Sequence, residues 1–333
     1  MKRILMLATG GTIASKESGQ GLSPAITSEE ILGYVPAVGE LCHVEAIQLM
    51  NLDSSNIGPK HWLKMAEAIR ENYQNYDGFV LTHGTDTMAY AAAALSYLIQ
   101  DSPKPIVITG SQKSICLHDT DARMNLYNSF LYAADRDSHD VSLVFDGKVI
   151  LGTRARKERT KSFNAFSSVD YPEVAVIRDG RLIRYLAPKL YAYGAEPVFY
   201  DRLEDRVLLL TLIPGMGPEA LRHLKDSYEA VILQSFGVGG LPGGGRGIFA
   251  QAMGEWLDAG KTIVMMTQVP YEGSDMSIYQ VGQQVKEKYQ LMEAYNMTLE
   301  AAATKLMWVL GQTSNPDEIR DLFYRPVQND LIR

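Results

Sequence analysis

The chain has 333 residues, 46% hydrophobic and 21% charged, the balance of a soluble globular protein long enough for two domains. Its formal net charge of -7 and the lack of a dense Lys/Arg block argue against a nucleic-acid surface. Two cysteines, Cys42 and Cys116, are too few for a disulfide framework and sit in no zinc-type spacing, so no metal is expected.

The first apolar run, residues 4–8, is shorter than the about 7–15 residues of a signal-peptide core. It leads directly into a Thr-Gly-Gly-Thr loop, so it reads as a core strand. No run approaches the ~18 apolar residues of a membrane span, and the expected compartment is the cytoplasm. Apolar runs then alternate with helical patterns, which predicts a largely parallel sheet with flanking helices. Residues 44–49 form the next strand. Pro59 opens a helix, in which Trp62, Met65, Ile69 and Tyr73 recur at helical spacing. Residues 78–82 are a strand, 86–99 a helix carrying Ala91 to Ala94, 105–109 a strand, 122–135 a helix and 141–145 a strand. Shorter strands follow at 149–151 and 174–177, with Asp179-Gly180 as a hairpin turn.

Periodicity fades from about residue 186. A second α/β alternation begins at 207: strands at 207–212, 230–234 and 262–267, helices from Pro218, at 248–257 and at 298–310. Asn315-Pro316 caps a final helix. The fold class is therefore α/β: a larger N-terminal, largely parallel sheet domain over 1–188, a linker over 189–205 and a smaller C-terminal α/β domain over 206–333. Residues 13–27 lack apolar periodicity and adjoin the first loop, as a lid would. Thr27-Ser28-Glu29-Glu30 then offers a capping box for the next helix.

Chemistry concentrates in two loops, each delivered by an apolar strand: Thr9-Gly10-Gly11-Thr12-Ile13-Ala14-Ser15 and His83-Gly84-Thr85-Asp86-Thr87. In open α/β sheets ligands bind beyond the carboxyl ends of the strands. A threonine hydroxyl is a weak nucleophile and needs a base. Gly10 and Gly11 let backbone N–H groups approach a carbonyl oxygen, though alone they make a tight turn just as readily. Asp86 at the head of a helix can grip a substrate ammonium or simply cap the helix. Lys157 offers a base, although residues 154–161 alone read as a solvated basic face. The glycine run at 237–245 has no phosphate-loop ending and reads as a flexible loop, and His83 and His118 take no assignment.

Together the two loops resemble the active-site signatures of the L-asparaginase family of bacterial-type amidohydrolases. The similarity continues through Asp53-Ser54-Ser55, Thr109-Gly110-Ser111, Asn125-Leu126-Tyr127-Asn128 and Lys157 into the C-terminal domain. The resemblance implies hydrolysis of L-asparagine to aspartate and ammonia without a cofactor. It implies Thr12 as nucleophile or its close partner, with Thr85, Asp86 and Lys157 as a second catalytic group. Gly11, Asp53, Ser54, Ser55 and Ser111 match positions that hold or adjoin the substrate. A homodimer or homotetramer is implied, with no nucleic-acid or membrane partner.

The Asp-Ser-Ser form of the substrate loop resembles the cytoplasmic type I branch. A catalytic strand starting at residue 4 sets the chain apart from the related tRNA-dependent amidotransferase subunit, which carries an extra N-terminal domain. Leu22 stands about where family members often carry a lid tyrosine. Gly240 replaces an asparagine common in the C-terminal glycine loop. Val269 corresponds to a cysteine linked to allosteric asparagine binding, so allosteric control is not implied. A broader glutaminase-asparaginase, or a non-catalytic amino-acid sensor of the same fold, are the other readings. If residues 13–27 close over the ligand, their amide exchange slows when aspartate is added, and Leu22→Tyr brings no large gain in rate. Exchange that ignores the ligand would rule out closure.

Overall fold

A computed structural model describes every residue except 19, 20, 25, 193, 243–246, 279–290 and 333; for 16–18 and 21–24 only the backbone is described. The chain forms two compact units, Met1–Asp201 and Arg202–Arg333.

The first unit begins with β1 (Arg3–Gly10), β2 (Ser15–Ser18), β3 (Gly21–Pro24), α1 (Ser28–Gly33), β4 (His43–Leu52), α2 (Pro59–Asn72), β5 (Gly78–Thr82) and α3 (Met88–Leu98). It continues with β6 (Ile99–Gln100), β7 (Ile106–Thr109), α4 (Ala122–Ala134), β8 (Val141–Phe145), β9 (Lys148–Leu151), β10 (Ala155–Lys157) and β11 (Phe166–Ser168). It ends with β12 (Ala175–Arg178), β13 (Arg181–Arg184) and β14 (Val198–Phe199).

Its main sheet has eight strands in the order β13-β12-β9-β8-β7-β5-β1-β4. The five from β4 to β8 are parallel, and β9, β12 and β13 extend the sheet antiparallel. Strands β5, β7 and β8 are buried along their whole length, as expected of parallel strands covered on both faces. Helix α3 is buried at every residue except Tyr90, and its run from Ala91 to Ala94 allows close packing. The chain leaves β1 on one side for β4, then returns on the other side for β5. The carboxyl ends of β1 and β5 therefore flank the point where strand order reverses, where doubly wound sheets bind ligands.

Local signals are realised in side-chain detail. The Thr27 hydroxyl accepts from Glu30 N–H at 3.2 Å, and the Glu30 carboxylate accepts from Thr27 N–H at 2.9 Å, the reciprocal capping box. Asp179 and Gly180 have φ of 49° and 68°, as a tight hairpin turn requires.

Two stretches differ from expectation. Residues 15–18 and 21–24 pair as an antiparallel ribbon of β2 and β3. The segment has few apolar residues, so no hydrophobic alternation announces it. The side chain of Leu22 lies outside the described residues, as does the end of the glycine run at 243–245. The second stretch is the expected linker. Strand β14 pairs with β6, the Tyr191 hydroxyl donates to Asp140 at 2.7 Å, and Lys189 N–H donates to His139 Nε2 at 2.9 Å. These polar ties bind the segment through Asp201 to the first unit and leave no periodic trace.

The second unit contains β15 (Val207–Thr211), α5 (Glu219–Leu224), β16 (Ala230–Ser235), α6 (Ile248–Asp258), β17 (Thr262–Thr267), β18 (Met292–Glu293), α7 (Leu299–Gln312) and α8 (Pro316–Tyr324). Its four strands are parallel in the order β15-β16-β17-β18. The Asn315 side chain accepts from Asp317 and Glu318 N–H groups and caps α8. The end of the chain is tied down by an ion pair of Lys305 and Asp330 at 2.6 Å, both side chains fully buried. No helix among the described residues is long and apolar enough to cross a membrane.

Removing one partner of a buried pair strands the other charge. Asp330→Ala should therefore cost about 3–5 kcal/mol, while Lys305→Met with Asp330→Leu should recover most of the loss. Denaturant unfolding of both variants checks this; equal stability of the two would contradict it.

Candidate active site

Three loops meet at the switch point. Gly11 has a φ of +79°, and a Cβ there would lie 2.4 Å from the Cα and N of Gly84. A Cβ on Gly84 would lie 2.6 Å from the Cβ of Ser54. The loops after β1 and β5 therefore touch backbone to backbone, and the Ser54 side chain of the loop after β4 closes on Gly84, at distances only glycine permits. Hydrogen bonds fix the contact. Gly11 N–H donates to Leu52 C=O at 2.9 Å, the Thr9 hydroxyl to Thr82 C=O at 2.8 Å, and the Thr87 hydroxyl to Ser54 C=O at 2.7 Å.

Beneath them, His83 is fully buried, and burial holds its imidazole pKa down to about 4. Its partner at 2.7 Å is the Gly84 carbonyl, so Nδ1 carries the proton of the neutral ring and donates to it. Thr12, half-buried, and Thr85, buried, each follow one of the touching glycines. Among the described residues the Thr12 side chain makes no hydrogen bond, so its hydroxyl is free for a ligand.

Around Thr85 the predicted residues converge. Lys157, on β10, donates from Nζ to Thr85 Oγ1 at 2.8 Å and to Asp86 Oδ1 at 2.6 Å. The lysine side chain is only 15% exposed, whereas that of Asp86 is 68% exposed. Asp86 does not cap α3: the helix starts at Met88 behind Thr87, and the Asp86 carboxylate is used on the lysine. The basic stretch is not a uniformly solvated face either. Arg154 is completely buried, with its guanidinium 5.5 Å from the Tyr171 ring centre. Phe166, paired with Lys157 across the β10–β11 ribbon, packs on Phe145 with ring centres 5.0 Å apart. The lysine thus rises from an anchored ribbon.

The remaining candidates lie on neighbouring loops. Asp53 accepts from the N–H and hydroxyl of Ser55 at 2.8 and 2.7 Å, and these bonds, the hydroxyl foremost, hold its carboxyl below the usual range. Ser54 is buried against Gly84. Ser111 is buried and donates its hydroxyl to Lys113 C=O, so its own loop consumes that group.

The sequence reading missed Gln112. Its Oε1 accepts from the Thr85 hydroxyl at 3.1 Å, and its Nε2 donates to Arg159 C=O and Ser162 C=O at 3.3 and 3.1 Å. Its one signal was its place directly after Ser111. Among the described residues no group of three or more His, Cys, Asp or Glu could hold a metal ion.

The arrangement provides a hydroxyl held between a lysine and an amide, a second hydroxyl across a glycine contact, and a half-free carboxylate. Comparison with known proteins gives the family. The asparaginase N-terminal family model matches residues 3–190, and the glutaminase/asparaginase C-terminal domain matches residues 206–323. The chain belongs to the asparaginase family.

Among similar asparaginase-family proteins, the L-asparaginase of Thermococcus kodakarensis is 35% identical over 330 residues, covering 99% of each chain. The solved thermostable L-asparaginase from Thermococcus kodakarensis superposes with a TM-score of 0.91 at 34% identity, again over 99% of each chain. The probable cytoplasmic L-asparaginase from Campylobacter jejuni superposes with a TM-score of 0.82 at 26% identity, covering 97% of this chain and 99% of that one. The glutamyl-tRNA(Gln) amidotransferase of Metallosphaera sedula also has a polypeptide 32% identical to this chain, in a match covering 96% of this chain and 74% of that one.

If the glycine contact holds the site together, Gly11→Ala must push the loops apart. It should cost about 1–3 kcal/mol through backbone strain and lower activity, while Gly33→Ala, with nothing within 4 Å, should lower neither. Denaturation midpoints and turnover of the two variants check this, and an unchanged Gly11→Ala protein would contradict it.

Proposed function

We propose that this chain is an L-asparaginase that hydrolyses L-asparagine to L-aspartate and ammonia through threonine chemistry. The observation that carries the reading is the Lys157 ammonium placed between Thr85 Oγ1 and Asp86 Oδ1, at 2.8 and 2.6 Å.

Thr12 is the nucleophile. Its oxygen attacks the side-chain amide carbon, and its proton is handed on to the amide nitrogen. The backbone N–H of Thr12 steadies the oxyanion. The C–N bond then breaks, and the nitrogen leaves as ammonia after taking up a proton. Thr85 and Lys157 activate the water that cleaves the resulting ester and frees aspartate. Lys157 can accept a proton only when neutral. The Thr85 hydroxyl must then turn its proton from Gln112 toward Nζ. Asp86 orients the lysine and presents its exposed oxygen to the substrate ammonium. Gly11, Asp53, Ser54, Ser55 and Ser111 line the place of the substrate. The scheme uses no cofactor, and the enzyme works in the cytoplasm as a homodimer or homotetramer, in keeping with the resemblance to the type I branch.

An ammonia-release assay on asparagine and glutamine tests the reading and separates it from a glutaminase-asparaginase, since one methylene discriminates weakly in a plain pocket. Asparagine turnover is expected; binding without turnover would make the chain a sensor instead. Thr12→Ala, Thr85→Val and Lys157→Met should each lower the rate by at least about 10³. Thr12→Ala and Thr85→Val should leave stability nearly unchanged. A variant keeping more than about a tenth of wild-type activity would overturn the role given to that residue.

A further inference from the structure

The start of α4 grips the turn that carries Ser111 and Gln112. The buried Asp121 carboxylate accepts from Gln112 N–H at 3.1 and 2.9 Å and from Lys113 N–H at 3.1 Å. Asn125, one helical turn on and also buried, donates from Nδ2 to Gly110 C=O at 3.0 Å and to Asp121 Oδ2 at 3.2 Å. Its Oδ1 is fixed in turn by Asp146 N–H at 2.9 Å. Backbone groups on both sides of Ser111 are thereby tied to one rigid helix.

Gln112 carries this grip to Thr85. A glutamine amide can flip, but here Nε2 faces two carbonyl oxygens, Arg159 and Ser162. Carbonyls accept only, so Nε2 must face them and Oε1 must face Thr85. The Thr85 hydroxyl has one proton, which goes to Oε1 and leaves a lone pair toward Lys157 Nζ.

We propose that Asp121 and Asn125 are positioning residues that hold the Thr85 hydroxyl oxygen in place through Gln112, while its O–H stays able to turn toward Nζ. The proposal rests on the asparaginase reading of Thr85. A carboxylate suits the task because two N–H groups of the turn and one of Asn125 converge on it. An asparagine at 121 would turn an NH2 group toward one of those donors.

A double-mutant cycle of Asp121→Asn and Gln112→Ala tests this, with kcat and KM measured for asparagine on protein whose folding is checked by thermal unfolding. Each single variant should lower kcat by about tenfold with KM little changed, and the double variant should lose no more than the worse single one. If Asp121→Asn does not fold, Asn125→Ser, which releases the Gly110 carbonyl, takes its place in the cycle. Losses that multiply in the double variant, or single variants with wild-type kcat, would overturn the proposal. Wild-type protein that releases no ammonia from asparagine would instead overturn the asparaginase reading beneath it.

Discussion

The site depends on one close approach. Gly11 and Gly84 touch through their backbones, and Ser54 closes against Gly84 from the third loop. A side chain at Gly11 would part the ends of β1 and β5, and one at Gly84 would push Ser54 away. The sheet places these strands side by side at its switch point, and the hydroxyls of Thr9 and Thr87 tie the loops across it. The two threonines of interest directly follow the two glycines. Their mutual placement is set by backbone packing, which is stiffer than any contact between mobile side chains.

The charge that makes a threonine useful comes from a separate element. Lys157 belongs to a short ribbon anchored by Phe166 on Phe145. Its partner Asp86 is largely exposed, so the ion pair adds little to stability. Its contribution is geometric: it directs the ammonium toward Thr85. Gln112 holds the other side of the same hydroxyl. The hydroxyl thus sits between a donor and an acceptor, each with a defined origin in the fold.

The parts of this fold that bury an apolar face were legible in the sequence. Strands β1, β5, β7 and β8, the alanine-rich helix and the hairpin at Asp179-Gly180 follow from periodicity and turn chemistry. So did the loops of Thr12 and Thr85, because each follows an apolar strand. Features that rest on single polar contacts were not legible. Arg154 lies in a basic run yet is buried over Tyr171, a partner seventeen positions on that only the fold reveals. Asp86 stood where a helix cap would, and only the family resemblance grouped it with Lys157, seventy-one positions away, which takes its carboxylate. Gln112 and Asp121 carry no periodic signal, and their roles arise when α4 folds back on the turn after β7. The β2–β3 ribbon and β14 are short and paired through backbone groups, which leave no mark on hydrophobic pattern.

The Gly11–Gly84 contact presents Thr12 and Thr85 to one and the same substrate in the proposed reaction. A crystal structure of the protein with L-aspartate bound tests it most directly. The side-chain carboxylate of aspartate should lie within hydrogen-bonding distance of both threonine hydroxyls, with Lys157 still joined to Thr85 and Asp86. Aspartate bound away from Thr12 and Thr85, or touching one while the other faces elsewhere, would contradict it.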